Sequence, residues 1–199
     1  MVKKLINVLI FAFIIFLYFI SFLLIYDTFR ERKLKSLEGN ALDKFDSIVK
    51  IQKKEIEEGT VPEAEEIDYS GYTILGKLEI PSIGFTSVIL KEYTYYAMNI
   101  GVIKTHGSEL NTEGGFVIAG HNYRGRSIFM YNIRNLTPGD KIYITDTSGV
   151  KLEYTVYETL REVSADDASY FSDYDGYHVV LVTCENSGKT RIVVKAKID

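Results

Sequence analysis

The chain has 199 residues, 46% of them hydrophobic, with 23 Lys and Arg against 27 Asp and Glu for a net charge of −4. With no basic cluster outside one short stretch after the first apolar segment, this balance argues against a nucleic-acid partner. The lone cysteine, Cys184, excludes an internal disulfide, and one cysteine with three scattered histidines lacks the ligand spacing of a zinc site.

Residues 1–4 form a short tail ending in Lys3 and Lys4, and Leu5 to Tyr26 carry no charged side chain. At about 1.5 Å per residue a helix of this length crosses a hydrocarbon core of about 30 Å, so residues 5–26 read as a transmembrane helix. A cleavable signal would have a shorter apolar region followed by small residues, and no Ala-x-Ala follows here. Charge counting leaves the orientation open, because Lys3 and Lys4 precede the span while Arg30, Arg32, Lys33 and Lys35 follow it.

Residues 27–71 read as a helical stalk and linker. Leu34, Leu37, Ala41, Leu42, Phe45, Ile48, Val49 and Ile56 recur at three- and four-residue spacings and form one apolar stripe. Gly59, Pro62 and the acidic run Glu63 to Asp68 then break the pattern. The stripe fits either the following domain or a second chain.

From Tyr72 to Asp199 the signals are those of short strands. Candidates are 76–81, 86–90, 115–120, 141–145, 150–159, 178–183 and 191–198, with 97–110 irregular and 127–135 a short helix. Seven or eight short strands with small connecting helices predict a mainly β fold, a closed or nearly closed barrel.

No Gly-x-Ser-x-Gly elbow is present, which removes one route to a serine hydrolase. Asp166, Asp167, Asp173 and Asp175 cluster before the Cys184 strand; without EF-hand spacing they read as a solvated acidic loop rather than a calcium site, so no cofactor and no metal are expected. Cys184 ends one strand and Arg191 opens the next, which makes the thiol either a nucleophile beside a cation or a small buried hydrophobe. His121 follows the apolar run Phe116 to Gly120 and sits where a buried strand ends. His178 would share a face with Cys184 but lie about 20 Å away at strand spacing. His106 falls in a polar Thr-His-Gly-Ser stretch and reads as solvated.

Several short runs, in order, resemble the sortases, membrane-anchored cysteine transpeptidases of Gram-positive bacteria. Gly76 to Ile83 resembles the opening strand of that family, Ala119-Gly120-His121-Asn122 its histidine motif, and Phe129 with Leu136-Thr137-Pro138-Gly139-Asp140 the segment that follows. Leu181-Val182-Thr183-Cys184 resembles the Thr-Leu-x-Thr-Cys signature, with Val180 at the position usually held by Thr, and Arg191 sits where the family places its arginine.

The resemblance implies an eight-stranded sortase-type barrel over residues 72–199, with a cytoplasmic N-terminus and the catalytic domain outside the cell membrane. It implies Cys184 as nucleophile, His121 as general acid/base and Arg191 as stabiliser of the oxyanion or substrate, and that Thr183, Asn122 and Glu185 border the substrate. The backbone N–H of Glu185 is a further oxyanion candidate. The implied reaction cleaves the C-terminal sorting signal of a secreted protein through a thioacyl intermediate, then transfers that protein to a peptidoglycan-precursor amine. The implied partners are therefore sorting-signal-bearing surface proteins, that amine and membrane lipid.

The stalk points to a class B- or D-like anchoring enzyme, and no lid motif of the pilus-polymerising kind precedes Tyr72. The alternatives are a pilus-polymerising enzyme or a non-catalytic membrane-tethered β-domain. The short segment between Cys184 and Arg191 predicts a tight connection and a site open on that side.

Overall fold

In the computed structural model, residues 2–58, 66–122, 130–171 and 174–198 are described. The chain divides at Leu37/Glu38 into two compact units. Helix α1 (Val2–Glu57) begins in the first of these, where its span from Leu9 contains an 18-residue window of mean hydropathy 2.8. Phe11, Phe16, Leu24 and Ile25 are exposed along it, and its length and composition suffice to cross a membrane.

In the second unit the later part of α1 belongs to the globular domain. Ala41, Phe45 and Val49 are buried at four-residue spacing, the period that places side chains on one helix face. Asp46 accepts a hydrogen bond from Lys77 Nζ at 2.6 Å, Lys44 donates to the Asp68 carbonyl, and Val49 and Lys53 pack at Gly149. The apolar stripe thus packs on its own domain at these positions.

Nine strands follow: β1 (Ile67–Tyr69), β2 (Tyr72–Ile80), β3 (Phe85–Leu90), β4 (Val102–Gly107), β5 (Gly114–Gly120), β6 (Lys141–Asp146), β7 (Lys151–Ser164), β8 (Tyr177–Glu185) and β9 (Thr190–Lys197). Eight close into a barrel in the order β2-β3-β4-β5-β8-β9-β7-β6, with β6 returning to β2; β1 adds a three-residue hairpin to β2. The pairs β3–β4 and β5–β8 are parallel and the rest antiparallel. Closure removes sheet edges, and alternate residues fill the interior. Leu78, Ile80, Phe116, Ile118, Leu181, Ile192 and Val194 belong to that core.

Three features differ from the expectations. The interval 97–110 contains a strand, β4, after a 3₁₀ turn at Ala97–Asn99. Strand β7 runs past Thr159 to Ser164, bent by two irregularities against β9, one of them around Glu162 with φ 56°. Those bulges break the alternation that marks a strand in sequence. The expected short helix is a 3₁₀ segment at Met130–Asn135; its first positions, 127–129, and Phe129 with them, lie outside the described residues.

Strand β8 is buried on both faces. Its inward residues join the main core, while Val180 and Val182 on the outer face form a second cluster with Val117, Val193 and Tyr170, edged by Leu160, Val163 and Tyr174. This outer cluster supports the surface on which the candidate site lies.

Candidate active site

Register brings the three expected residues together. Gly120 of β5 pairs with Thr183 of β8, so the next residue on each strand places His121 beside Cys184. On the other side Cys184 pairs directly with Arg191 of β9. Paired positions on adjacent strands share a face, so Cys184 and Arg191 project together, and His121, just past the end of β5, lines a cleft with the thiol from the other side. The thiol is exposed, which removes the reading of Cys184 as a core residue.

The strand ends are tied by polar contacts. Thr183 Oγ1 donates to the Gly120 carbonyl at 2.8 Å, joining β8 to β5 one residue before the thiol and histidine. Asn122 Nδ2 donates to the Cys184 carbonyl. Gly120 has no room for a side chain, because a Cβ there would stand 2.5 Å from Met130 Sδ. Both Thr183 and Asn122 therefore brace the site through backbone contacts.

His121 is half-buried, with Tyr95 edge-on at 5.3 Å between ring centroids. Burial lowers its pKa below the usual histidine value, and hydrogen bonding to the Tyr95 carbonyl opposes that shift without cancelling it. Arg191 Nη1 donates to the carbonyls of Gly188 at 2.8 Å and Thr190 at 3.1 Å. A guanidinium has five N–H donors, so donors remain for a ligand. The buried Tyr170 stands close to Arg191, a neighbour no sequence pattern signalled.

Glu185 is turned differently from its neighbour. Successive strand residues face opposite ways, and its carboxylate is buried, accepting hydrogen bonds from Arg161 Nη2 and from the Glu162 N–H, both at 3.1 Å. Arg134 lies 3.6 Å away. Burial alone would raise this carboxyl, but the bonds from Arg161 and Glu162 and the two guanidinium charges bring it below the usual range. Its side chain is thus a brace between β8, the β7 bulge and the Met130–Asn135 segment.

Two clefts meet at Cys184. The first, about 410 Å³, has Val117, Ala119 and Val182 on its floor, Tyr93 and Met98 on one wall, Ala165 and Tyr170 on another, and Arg191 near the thiol. The second, about 420 Å³, is bordered by His121, Asn122 and the turn Asn186–Gly188. That turn is the whole connection between β8 and β9 apart from Lys189, as short as expected.

Of the other two histidines, one shares a cleft with Cys184 and Arg191 and the other lies toward the opposite end of β8. His106 is exposed on β4, in a strand rather than a loop, and lines the first cleft. His178 is the second residue of β8, stacked on Tyr174 at 4.8 Å with Tyr157 edge-on at 6.0 Å. In the acidic loop, Asp167 accepts the Ser169 N–H at 2.8 Å and Asp173 lies outside the described residues. Among the described residues no group of three or more His, Cys, Asp or Glu could hold a metal ion.

Fold and site together define a closed β-barrel with a cysteine, a histidine and an arginine on adjacent strand ends, the class expected of a cysteine transpeptidase. A profile of the Sortase domain matches residues 78–199, well over half the chain, and the chain belongs to the sortase family. It is 24% identical to sortase A of Bacillus anthracis over 163 residues, covering 80% of this chain and 77% of the relative. The fold matches a Clostridium perfringens sortase D5 transpeptidase with TM-score 0.63 and 26% identity, over 82% of this chain and 99% of that one. It also matches C. perfringens sortase C with the C-terminal cell wall sorting motif, with TM-score 0.56 and 21% identity, over 84% of this chain and 95% of that one. Sortases are cysteine transpeptidases, and the N-terminal apolar helix suits a membrane-anchored one.

Proposed function

We propose that this protein cleaves a C-terminal sorting signal of a secreted protein at Cys184 and transfers the acyl fragment to a peptidoglycan-precursor amine. The observation that carries this reading is an exposed Cys184 paired with Arg191 of β9 and sharing a cleft with His121, the residue after β5. The Cys184 thiolate attacks the scissile carbonyl carbon while Arg191 stabilises the developing oxyanion. The C–N bond breaks as the His121 imidazolium gives its proton to the leaving amine. An amine then attacks the thioester, the C–S bond breaks, and the amine's proton passes to His121. The scheme needs no cofactor, and when no amine arrives, water hydrolyses the thioester.

Burial of His121 favours its neutral form. The N-terminal helix anchors the enzyme with its first residues cytoplasmic and its barrel outside the membrane. The likeness to the D5 transpeptidase, which spans nearly all of that chain, supports an anchoring enzyme of class B or D type. The test incubates the protein with Leu-Pro-x-Thr-Gly-like and Asn-Pro-x-Thr-x-like peptides and an amine, with ligated product read by mass spectrometry. A ligated product lost in Cys184→Ala supports the reading; absence of cleavage of every peptide contradicts it.

A further inference from the structure

Away from the thiol, the later part of α1 and strands β2, β6 and β7 enclose a cleft of about 530 Å³, lined by Lys50, Lys53, Lys54, Lys77 and Lys151. Its lining holds two carboxylates, Asp46 and Glu79, so it carries an excess of three positive charges in a chain whose net charge is −4. Strand β7 begins in this cleft at Lys151 and ends at Ser164, which pairs with Thr190 beside Arg191, so the cleft lies at the far end of that strand from Cys184. Several of the lysines are held in place. Lys77 Nζ donates to Asp46 at 2.6 Å and lies 5.9 Å from the Phe45 ring centroid; Lys151 Nζ donates to Glu79 at 2.8 Å and stands 4.7 Å over Tyr143. The Lys53 stem packs at the turn of Gly149. Among the described residues no carboxylate pairs with Lys50 or Lys53, and Lys54 meets Glu58 at 3.6 Å with both side chains exposed. An ammonium has three N–H donors, so each paired lysine keeps two for a ligand.

Lysine without arginine selects among anions. A carboxylate is matched best by the planar fork of a guanidinium, whereas phosphate oxygens also accept from point-like ammonium groups that approach from any side. Five such groups spread over α1, β2 and β7 face more than one phosphate at a time. The apolar residues of the lining, Phe45 and Val49, are buried, so the cleft offers no bare surface to an acyl chain. We propose that this cleft binds an extended polyanion joined by phosphodiesters, held through the release of that polymer's counterions. The contact leaves Cys184, His121 and Arg191 untouched, so it positions the barrel on the polymer without entering the chemistry at the thiol.

The test uses the full chain in phosphatidylcholine nanodiscs and fluorescein-labelled poly(glycerol phosphate), with binding read by fluorescence anisotropy across a salt series. Removing two charges in Lys50→Gln/Lys53→Gln should raise Kd about tenfold and lower the slope of log Kd against log salt by about two. Lys50→Arg/Lys53→Arg should hold Kd within about threefold of the wild type, since both charges remain. Lys91→Gln/Lys197→Gln removes the same charge elsewhere on the barrel and should leave Kd within about twofold. Inorganic phosphate, glycerophosphoglycerol and polyglutamate, compared per charge, should each compete at least about tenfold less well than unlabelled polymer. Four results would overturn the proposal: no saturable binding, an equal loss in Lys91→Gln/Lys197→Gln, competition by polyglutamate as strong as by the polymer, or equal competition by glycerophosphoglycerol or inorganic phosphate. The third would remove the preference for phosphate, and the last would assign the cleft to a lipid headgroup or a free phosphate instead.

Discussion

A histidine stands near each end of β8, one carried on the strand and one just past the end of the neighbouring β5. Near its start His178 lies between the rings of Tyr157 and Tyr174; near its end Cys184 pairs with Arg191 and shares a cleft with His121. Burial lowers the pKa of both His121 and His178. A shifted imidazole is therefore not what distinguishes the site. The register of β5 against β8 is, because it sets one histidine beside the thiol and leaves the other at the opposite end of the strand.

The largest expected effect breaks that comparison directly. His121→Ala should slow thioester formation by about 10²–10⁴-fold, the usual contribution of a general acid, while His178→Ala leaves it within about twofold. Equal losses in rapid-quench acylation assays would show that register does not select the catalytic imidazole. Next, Arg191→Ala should lower kcat by about 10²–10³-fold as an oxyanion donor is lost, and Arg191→Lys should recover only part, since a lysine cannot reproduce the guanidinium fork.

Glu185→Gln comes third. Removing the charge from a buried carboxylate held by Arg134 and Arg161 should destabilise the fold by about 3 kcal/mol in urea unfolding. A variant as stable as the wild type would show that the brace behind Cys184 is not structural.

The smallest effect concerns pH. Both histidines have folded pKa values lowered from about 6.5, so the unfolded chain binds more protons and stability falls as pH drops through and below that value. The carboxylates of Asp140, Glu153, Asp167 and Glu185 are also lowered, but their contribution is lost only at more acid pH, below about 4.5. His178→Gln should flatten the fall in Tm between about pH 7 and 5 and leave the more acid limb intact. An unchanged slope would remove His178 as a contributor.

Much of the site was legible because it depends on short, local spacings. An apolar run ending at Gly120-His121 and a seven-residue step from Cys184 to Arg191 each describe strand ends, and closing the barrel sets them side by side. The missed parts depend on irregularity or distance in sequence. Strand β4 has a register shift between Lys104 and His106, and its parallel pairing with β3 leaves no turn signature. The bulges of β7 hid its last residues. Tyr170 stands close to Arg191 only because the β7–β8 connection folds back over the outer face of β8. The position of Glu185, in contrast, could have been read from strand alternation, since a residue next to an exposed Cys184 must face inward.

The central claim is that Cys184 carries the acyl group. The most direct measurement is intact-protein and peptide-mapping mass spectrometry after mixing the full chain with a cleavable donor peptide and no amine. The account expects a hydroxylamine-labile acyl adduct on the peptide containing Cys184, absent in Cys184→Ala. An adduct on another residue, or peptide cleavage that persists in Cys184→Ala, would contradict it.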